Sequence, residues 1–257
     1  MLTFRNTNIF FISLLVLLIA TDVRFGVAWY VYVITAFVYL NILFYGCYYV
    51  GSNFFIKIIC STKTDKKVIA LSFDDGPDGA NTPRILSLLK QNGVSAAFFC
   101  IGNKIADNAA LLKQIDKEGH VIGNHTFTHH LWFDMFSKKE MATDMMMMDE
   151  AVADVIGKTP KLFRPPYGVT NPNLKNAIIA GNYTPVGWSV RSLDTVAKDP
   201  QKLLKKVVAK IKPGAVFLFH DTSNTTLTML PEFIKHVKSS GYEIIRLDKM
   251  LNLQAYA

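Results

Sequence analysis

The sequence predicts an α/β domain built on a parallel sheet, open or closed, with an uncharged apolar segment in front of it. Three observations carry that expectation. From residue 68 onward, seven strand-like runs alternate with six helix-like segments. Chemically unusual residues cluster where five of those strands end. The first 60 residues hold only Arg5, Arg24 and Lys57 against Asp22.

In that N-terminal part, Asn6 to Thr21 and Phe25 to Ile56 carry no charge. A helix needs about 20 apolar residues to cross a bilayer. The second stretch qualifies; the first is borderline and has the length of a signal-peptide core. No small-residue cleavage site follows it, however. Residues 1–60 therefore read as a membrane anchor of one or two transmembrane helices, against the alternative of a buried helix pair. Trp29, Tyr30, Tyr45, Tyr48 and Tyr49 suit interfacial belts. Residues 61–67 are polar and basic and read as a linker, and residues 68–257 as the α/β domain. Lys57, Lys63, Lys66 and Lys67 follow the second stretch, whereas the loop between the stretches offers Arg24 beside Asp22. The positive-inside rule then sets the domain in the cytoplasm.

The whole chain has 28 basic and 20 acidic residues, a net of +8. After residue 60 the counts are 25 and 19, with no block of five like charges, so the excess reads as solvated helix faces. No basic stripe with interleaved aromatics is present, which argues against a nucleic-acid partner. Cys47, Cys60 and Cys100 have neither metal-type spacing nor a disulfide framework.

The strand-like runs are 68–73, 96–101, 121–123, 162–163, 185–190, 215–219 and 243–247. The helix-like segments are 82–91, 107–118, 137–156, 173–180, 200–211 and 227–239. Ser137 and Glu140 have capping-box spacing. Gly93, Gly119, Gly157, Gly181 and Gly241 stand where helices should stop. The Met145 to Met148 run reads as a core-facing helix rather than a cofactor feature.

At the first strand end stand Asp74 and Asp75, followed by Gly76-Pro77. Two neighbouring carboxylates at a strand end are costly unless a cation or hydrogen bonds compensate them. Side chains alternate along a strand, so one can bind a metal while the other handles protons. A solvated Asp-Gly-Pro turn is the bland alternative. After the third strand come Asn124-His125-Thr126-Phe127-Thr128-His129-His130. One helical turn would put His125 and His129 on one side, and two His with a carboxylate suit zinc or a similar divalent ion. Arg164-Pro165-Pro166-Tyr167-Gly168 follow the fourth strand, Arg191 and Asp194 the fifth, and His220-Asp221 the sixth. In a β/α barrel such groups gather at the C-terminal ends of the strands.

Ser-Phe-Asp-Asp-Gly-Pro, His-Thr-Phe-Thr-His, Arg-Pro-Pro-Tyr-Gly and Leu218-Phe219-His220, in that order, resemble the motifs of the NodB-type polysaccharide deacetylases, carbohydrate esterase family 4. The resemblance covers roughly residues 67–251 and leaves out the N-terminal segment. It implies a distorted (β/α)7 barrel. It implies that Asp75, His125 and His129 hold a divalent metal, zinc first, with cobalt, nickel or manganese as alternatives. Asp74 would be the general base acting on water, with Arg164 orienting it. The Tyr167 backbone N–H would stabilise the oxyanion. His220 would be the general acid, Asp194 would sit near the site and tune His220 or Arg164, and Leu218 would line the acetyl pocket.

One motif departs from the family pattern. Asp-x-x-Asp-Trp after the fifth strand is here Arg191-Ser192-Leu193-Asp194-Thr195, so the first acid and the aromatic are replaced. This bears on the sugar subsite more than on the chemistry. His130 and Trp132 are candidates to compensate, and Trp188 a candidate substrate contact. The alternatives are a surface ion pair for Arg191 and core positions for both tryptophans.

The expected activity is hydrolysis of the N-acetyl amide of an amino sugar in a polysaccharide, releasing acetate. The alternatives are a deacetylase or deformylase of a lipid-linked amino sugar, and a catalytically silent sugar-binding protein. The expected partners are an N-acetylated glycan and the lipid bilayer of a bacterial-type inner membrane. A wall polymer lies outside that membrane, so the resemblance and the lysine cluster oppose each other on which side the domain faces.

Overall fold

Strand β1 (Val68–Asp74) organises the molecule, whose computed structural model describes residues 2–257. Its alternation sorts the two sides of the sheet. Ile69, Leu71 and Phe73 join a large core under the outer helices, with Ile85, Leu86, Val207 and Phe233. Ala70 faces the opposite way, into a cluster with Ala97, Phe99, Leu162 and Val216. Ser72 and Asp74 share that inward parity, which brings a carboxylate to the inner end of the strand.

The other strands are β2 (Ala97–Cys100), β3 (Val121–Asn124), β4 (Leu162–Phe163), β5 (Thr184–Pro185), β6 (Val190–Arg191), β7 (Ala215–His220) and β8 (Glu243–Ile244). Their order is β5-β4-β3-β2-β1-β7-β6, with β8 beside the start of β1. All of these pairings are parallel, and the sheet curls into a distorted (β/α) barrel of the expected class. The expected strand at 185–190 is split into β5 and β6, on opposite edges of the sheet. Between them Val186 bridges Ile59, and a Cβ on Gly187 would press on Cys60, Val50 and Ile58. The chain is therefore pulled away from regular pairing to pass under the N-terminal segment.

The N-terminal helices are α1 (Phe4–Phe25) and α2 (Trp29–Tyr48). The outer helices are α3 (Thr82–Gln91), α4 (Ala109–Lys117), α5 (Lys138–Ile156), α6 (Pro172–Ala180), α7 (Pro200–Val208) and α8 (Asn224–Ser239). Helix α5 opens with the expected capping box between Ser137 and Glu140. A short α9 (Leu247–Leu251) takes the place of the end of the expected last strand. Helix α8 starts earlier than its apolar pattern does, because Ser223 accepts the Thr226 N–H.

Helices α1 and α2 are long and apolar enough to cross a membrane, and their apolar windows are 0% and 6% buried. At 22 and 20 residues they span about 33 and 30 Å. They run antiparallel, with the Tyr39 hydroxyl donating to Asn8 Oδ1 at 2.8 Å. The Phe4 N–H meets Phe54 O at 2.9 Å, so both outer ends lie together. The apolar stretch from 25 to 56 is not one helix. It breaks at Gly26, whose φ of 75° is left-handed, and helix α2 stops at Tyr48. The end of α2 and the residues after it dock on the barrel: Thr170 N–H donates to Cys47 O at 2.9 Å, and Ser61 bridges Ala215.

Candidate active site

Asp75 leaves β1 with a left-handed backbone, φ 73°, which turns its carboxylate toward the loop after β3. Its Oδ1 lies 3.5 Å from His125 Nε2 and 3.4 Å from His129 Nε2. The two imidazoles do not meet through a helical turn. Residues 125–129 form a loop in which Thr126 (φ 68°) and His129 (φ 47°) are left-handed. That loop is held from behind. Asn124 Oδ1 accepts the Thr126 N–H at 2.8 Å, and the Asp144 carboxylate of α5 accepts from Phe127 N–H at 2.6 Å and Thr128 Oγ1 at 2.6 Å.

These three side chains fit a metal ion. Each offers one ligand atom, all within 4.8 Å of one another. Asp75 Oδ1 is buried and has no hydrogen-bond partner. His125 Nδ1 lies 2.7 Å from Arg164 O. A proton there donates to that carbonyl, which leaves the Nε2 lone pair facing Asp75. Burial and the His125 ring push the His129 imidazole down to about 4, so it too offers a lone pair at neutral pH. Burial would raise the Asp75 carboxyl, but His125, His129 and His220 outweigh it and hold the group ionised. Lys104 Nζ donates to Asp75 O at 2.7 Å and fixes the backbone there.

Asp74 is buried and points inward, where Arg164 meets it. Arg164 Nη1 donates to Asp74 Oδ1 at 2.6 Å and to Ser72 Oγ at 2.8 Å. Nη2 and Nε donate to Gly187 O at 2.9 Å and Val186 O at 3.2 Å. The guanidinium is 0% exposed and lies 3.9 Å from the Phe99 ring centroid. A charge this deep is tolerated because its donors are so fully engaged. The kinked chain between β5 and β6 supplies two of the acceptors.

On the far side, His220 ends β7. Its Nδ1 lies 2.7 Å from Asp194 Oδ1, and its own N–H donates to Asp194 Oδ2 at 2.7 Å. Ser192 Oγ and Thr226 Oγ1 also donate to that carboxylate. Burial would lower His220, but Asp194 outweighs it and lifts the imidazole to about 9. Its Nε2 faces Asp75 Oδ2 at 3.9 Å.

A cavity of about 150 Å³ joins these groups: Asp74, Asp75, His125, His129 and His220 line it, with Tyr167, Trp188 and Leu218 around them. Arg164 and Asp194 stand behind the lining, each bonded to a residue that does line it. Tyr167 sits at φ 59°, with its hydroxyl 3.4 Å from His129 Nδ1. Trp188 is half-buried in the wall rather than core, and the Arg191 guanidinium lies 5.7 Å from its ring. Thr195 lines the cavity, whereas Trp132 does not and is 62% exposed. Asp221 lies against Gly76, where any side chain would collide with it, and burial raises its carboxyl to about 7. Sequence reasoning missed Ser72, Lys104, Asp144 and Thr226. Only the pairing of Ser72 with the Asp74 strand position hinted at a shared face.

The polysaccharide deacetylase family model matches residues 61–186. The peptidoglycan-N-acetylglucosamine deacetylase PgdA of Listeria monocytogenes is 34% identical over 202 residues. That match takes in 79% of this chain and 42% of the relative, so the chain spans about two-fifths of PgdA. A peptidoglycan-N-acetylglucosamine deacetylase of Bacillus cereus is 34% identical over 192 residues, covering 73% of this chain and 89% of the relative. The crystal structure of the Bc1960 peptidoglycan N-acetylglucosamine deacetylase superposes with a TM-score of 0.74 at 30% identity, covering 78% of this chain and 95% of that one. With four motifs in order, the barrel they occupy and these matches, the chain belongs to the polysaccharide deacetylase family, the NodB-type enzymes of carbohydrate esterase family 4.

Proposed function

We propose that this protein is a membrane-anchored, metal-dependent hydrolase that removes the acetyl group from an N-acetylated amino sugar of a glycan. The observation that carries the reading is the pairing across the cavity. Asp74 with Arg164 behind it and His220 with Asp194 behind it flank the Asp75–His125–His129 cluster.

Asp75, His125 and His129 would hold the divalent ion, zinc by the chemistry of the set. When bound, the ion supplies a Lewis acid and makes water more acidic. Asp74, oriented by Arg164, takes the proton from the attacking water. The water oxygen bonds to the acetyl carbonyl carbon, and charge develops on the carbonyl oxygen. The Tyr167 backbone N–H is assigned to that oxygen. The carbon–nitrogen bond then breaks as His220 gives its Nε2 proton to the leaving amine, yielding acetate and a free amino sugar. The His220 Nδ1 side is bound to Asp194, so the ring cannot turn away. Leu218 borders the acetyl position, and Trp188 offers a face to the sugar. A silent binding protein would need neither a proton acceptor nor a proton donor so supported.

The anchor reading rests on two helices of spanning length whose apolar faces the rest of the chain leaves uncovered. The test is acetate release by detergent-solubilised full-length protein from chitooligosaccharides, peptidoglycan and lipid-linked N-acetylated amino sugars. Activity should vanish on chelation and return with zinc or cobalt, and His129→Ala should fail to retain metal. Full activity in the metal-free protein, or no acetate from any glycan, overturns the proposal.

A further inference from the structure

A second cavity, of about 780 Å³, opens beside the first. Trp188 and Arg191 line both, so the two share that wall. Tyr48 and Tyr49, at the end of α2, form another side, and Lys57 and Lys212 complete it. No Asp or Glu lines this cavity. Lys57, Arg191 and Lys212 are exposed, and none of them forms an ion pair among the described residues. The smaller cleft next to it, shared at Arg191 and Lys212, adds Lys206 and Lys210 and again no acid.

Three cations around one cavity repel one another unless an anion joins them. A neutral glycan brings hydroxyl and amide groups and gives no such compensation. A phosphate ester does, with several acceptor oxygens for Lys and Arg. The position adds a second argument. Tyr48 and Tyr49 mark where the apolar face of α2 ends, which is the depth of lipid phosphates for a spanning helix. Arg191 also stands where the family motif has an acid, so the charge of this wall is reversed relative to that pattern.

We propose that this second cavity is a phosphate subsite, and that the enzyme takes an N-acetylated amino sugar carried on a lipid phosphate or diphosphate. Lys57, Arg191 and Lys212 hold the phosphate while the sugar reaches past Trp188 to the cluster of Asp75 and the two histidines. The inference rests on the deacetylase reading and names the substrate class for it. Lipid phosphate has two sources, the glycolipid substrate and bulk anionic phospholipid, and the experiment separates them.

Full-length, metal-loaded protein is placed in neutral phosphatidylcholine vesicles. Acetate release is compared on N-acetylglucosamine joined through a diphosphate to a polyprenol and on the same sugar joined to that polyprenol without phosphate. The diphosphate substrate should be preferred in kcat/KM by roughly tenfold or more, mainly through KM, and the preference should shrink with salt. Lys57→Gln with Lys212→Gln should erase most of it. Inorganic diphosphate should compete with the diphosphate substrate on the unmodified protein, which tests the subsite even if the double variant folds poorly. Equal kcat/KM on both lipids, with acetate still released, overturns the subsite and leaves the deacetylase reading standing. No acetate from any glycan overturns that reading instead. Stimulation of both substrates alike by added phosphatidylglycerol, with no preference between them, assigns the cavity to bulk head groups and overturns the substrate assignment.

Discussion

Asp194 grips His220 at two points: Oδ1 lies 2.7 Å from the imidazole Nδ1, and Oδ2 accepts the His220 backbone N–H at 2.7 Å. The contact fixes ring orientation and proton affinity together. It also explains why Asp194 is retained in a motif that has lost its neighbours.

A pH profile tests that relationship. His220 must be protonated to serve as the acid, so activity should fall as pH rises through its value of about 9. Asp194→Asn removes the main partner that raises it, so the alkaline limb should move toward the ordinary 6.5. The value of kcat near pH 8 should fall on the order of 10²-fold. An ester substrate, with its better leaving group, should lose less. An unmoved alkaline limb in the variant would remove His220 from the acid role.

Arg164 and Asp74 form a buried pair whose members are not equivalent. Removing Arg164 strands a buried carboxylate, whereas removing the Asp74 charge leaves the guanidinium bonded to Ser72, Val186 and Gly187. Arg164→Met should therefore cost about 3–5 kcal/mol, a fall in Tm of roughly 10 °C. Asp74→Asn should cost clearly less, keep the metal, and lose about 10² or more in kcat. Thermal melts with metal analysis check this. Equal destabilisation by both variants would contradict the asymmetry.

Much of this site is written in the sequence because it is local. Asp74 and Asp75 are adjacent on one strand, and strand alternation with a left-handed break sends them to different partners. His125 and His129 were legible as a pair but not in their route together, since nothing in their spacing announces two left-handed residues. Their backing by Asp144 depends on how α5 lies across the loop, a tertiary fact. The split of residues 185–190 has the same origin. Val186 and Gly187 look like strand, yet their carbonyls turn to Arg164 and their backbone yields to residues 58–60. The N-terminal stretch hid its end for a simpler reason. Phe54, Phe55 and Ile58 are as apolar as a membrane helix, but they are buried beside it, Phe54 and Phe55 against Phe4 and Ile58 next to Gly187.

The direction of the N-terminal hairpin is set by the antiparallel pair. Phe4 N–H donates to Phe54 O, and the rings of Phe4 and Phe55 lie 5.1 Å apart, so the N-terminus and the barrel sit at the same end of the hairpin. Helix α1 runs from Phe4 to Phe25, longer than its uncharged core, because Arg5, Asp22 and Arg24 are carried at its ends. Charged ends of that kind reach the interface by snorkelling, so both helices have spanning length. Reporters at the two termini should therefore read the same compartment. Alkaline phosphatase at the C-terminus and a cysteine-accessibility probe near residue 2 provide the pair of readings. Opposite compartments would mean that only one helix crosses. With the two in agreement, an active phosphatase sets the barrel outside with the wall polymer. An inactive but expressed fusion sets it inside, as the lysines at 57, 63, 66 and 67 favour.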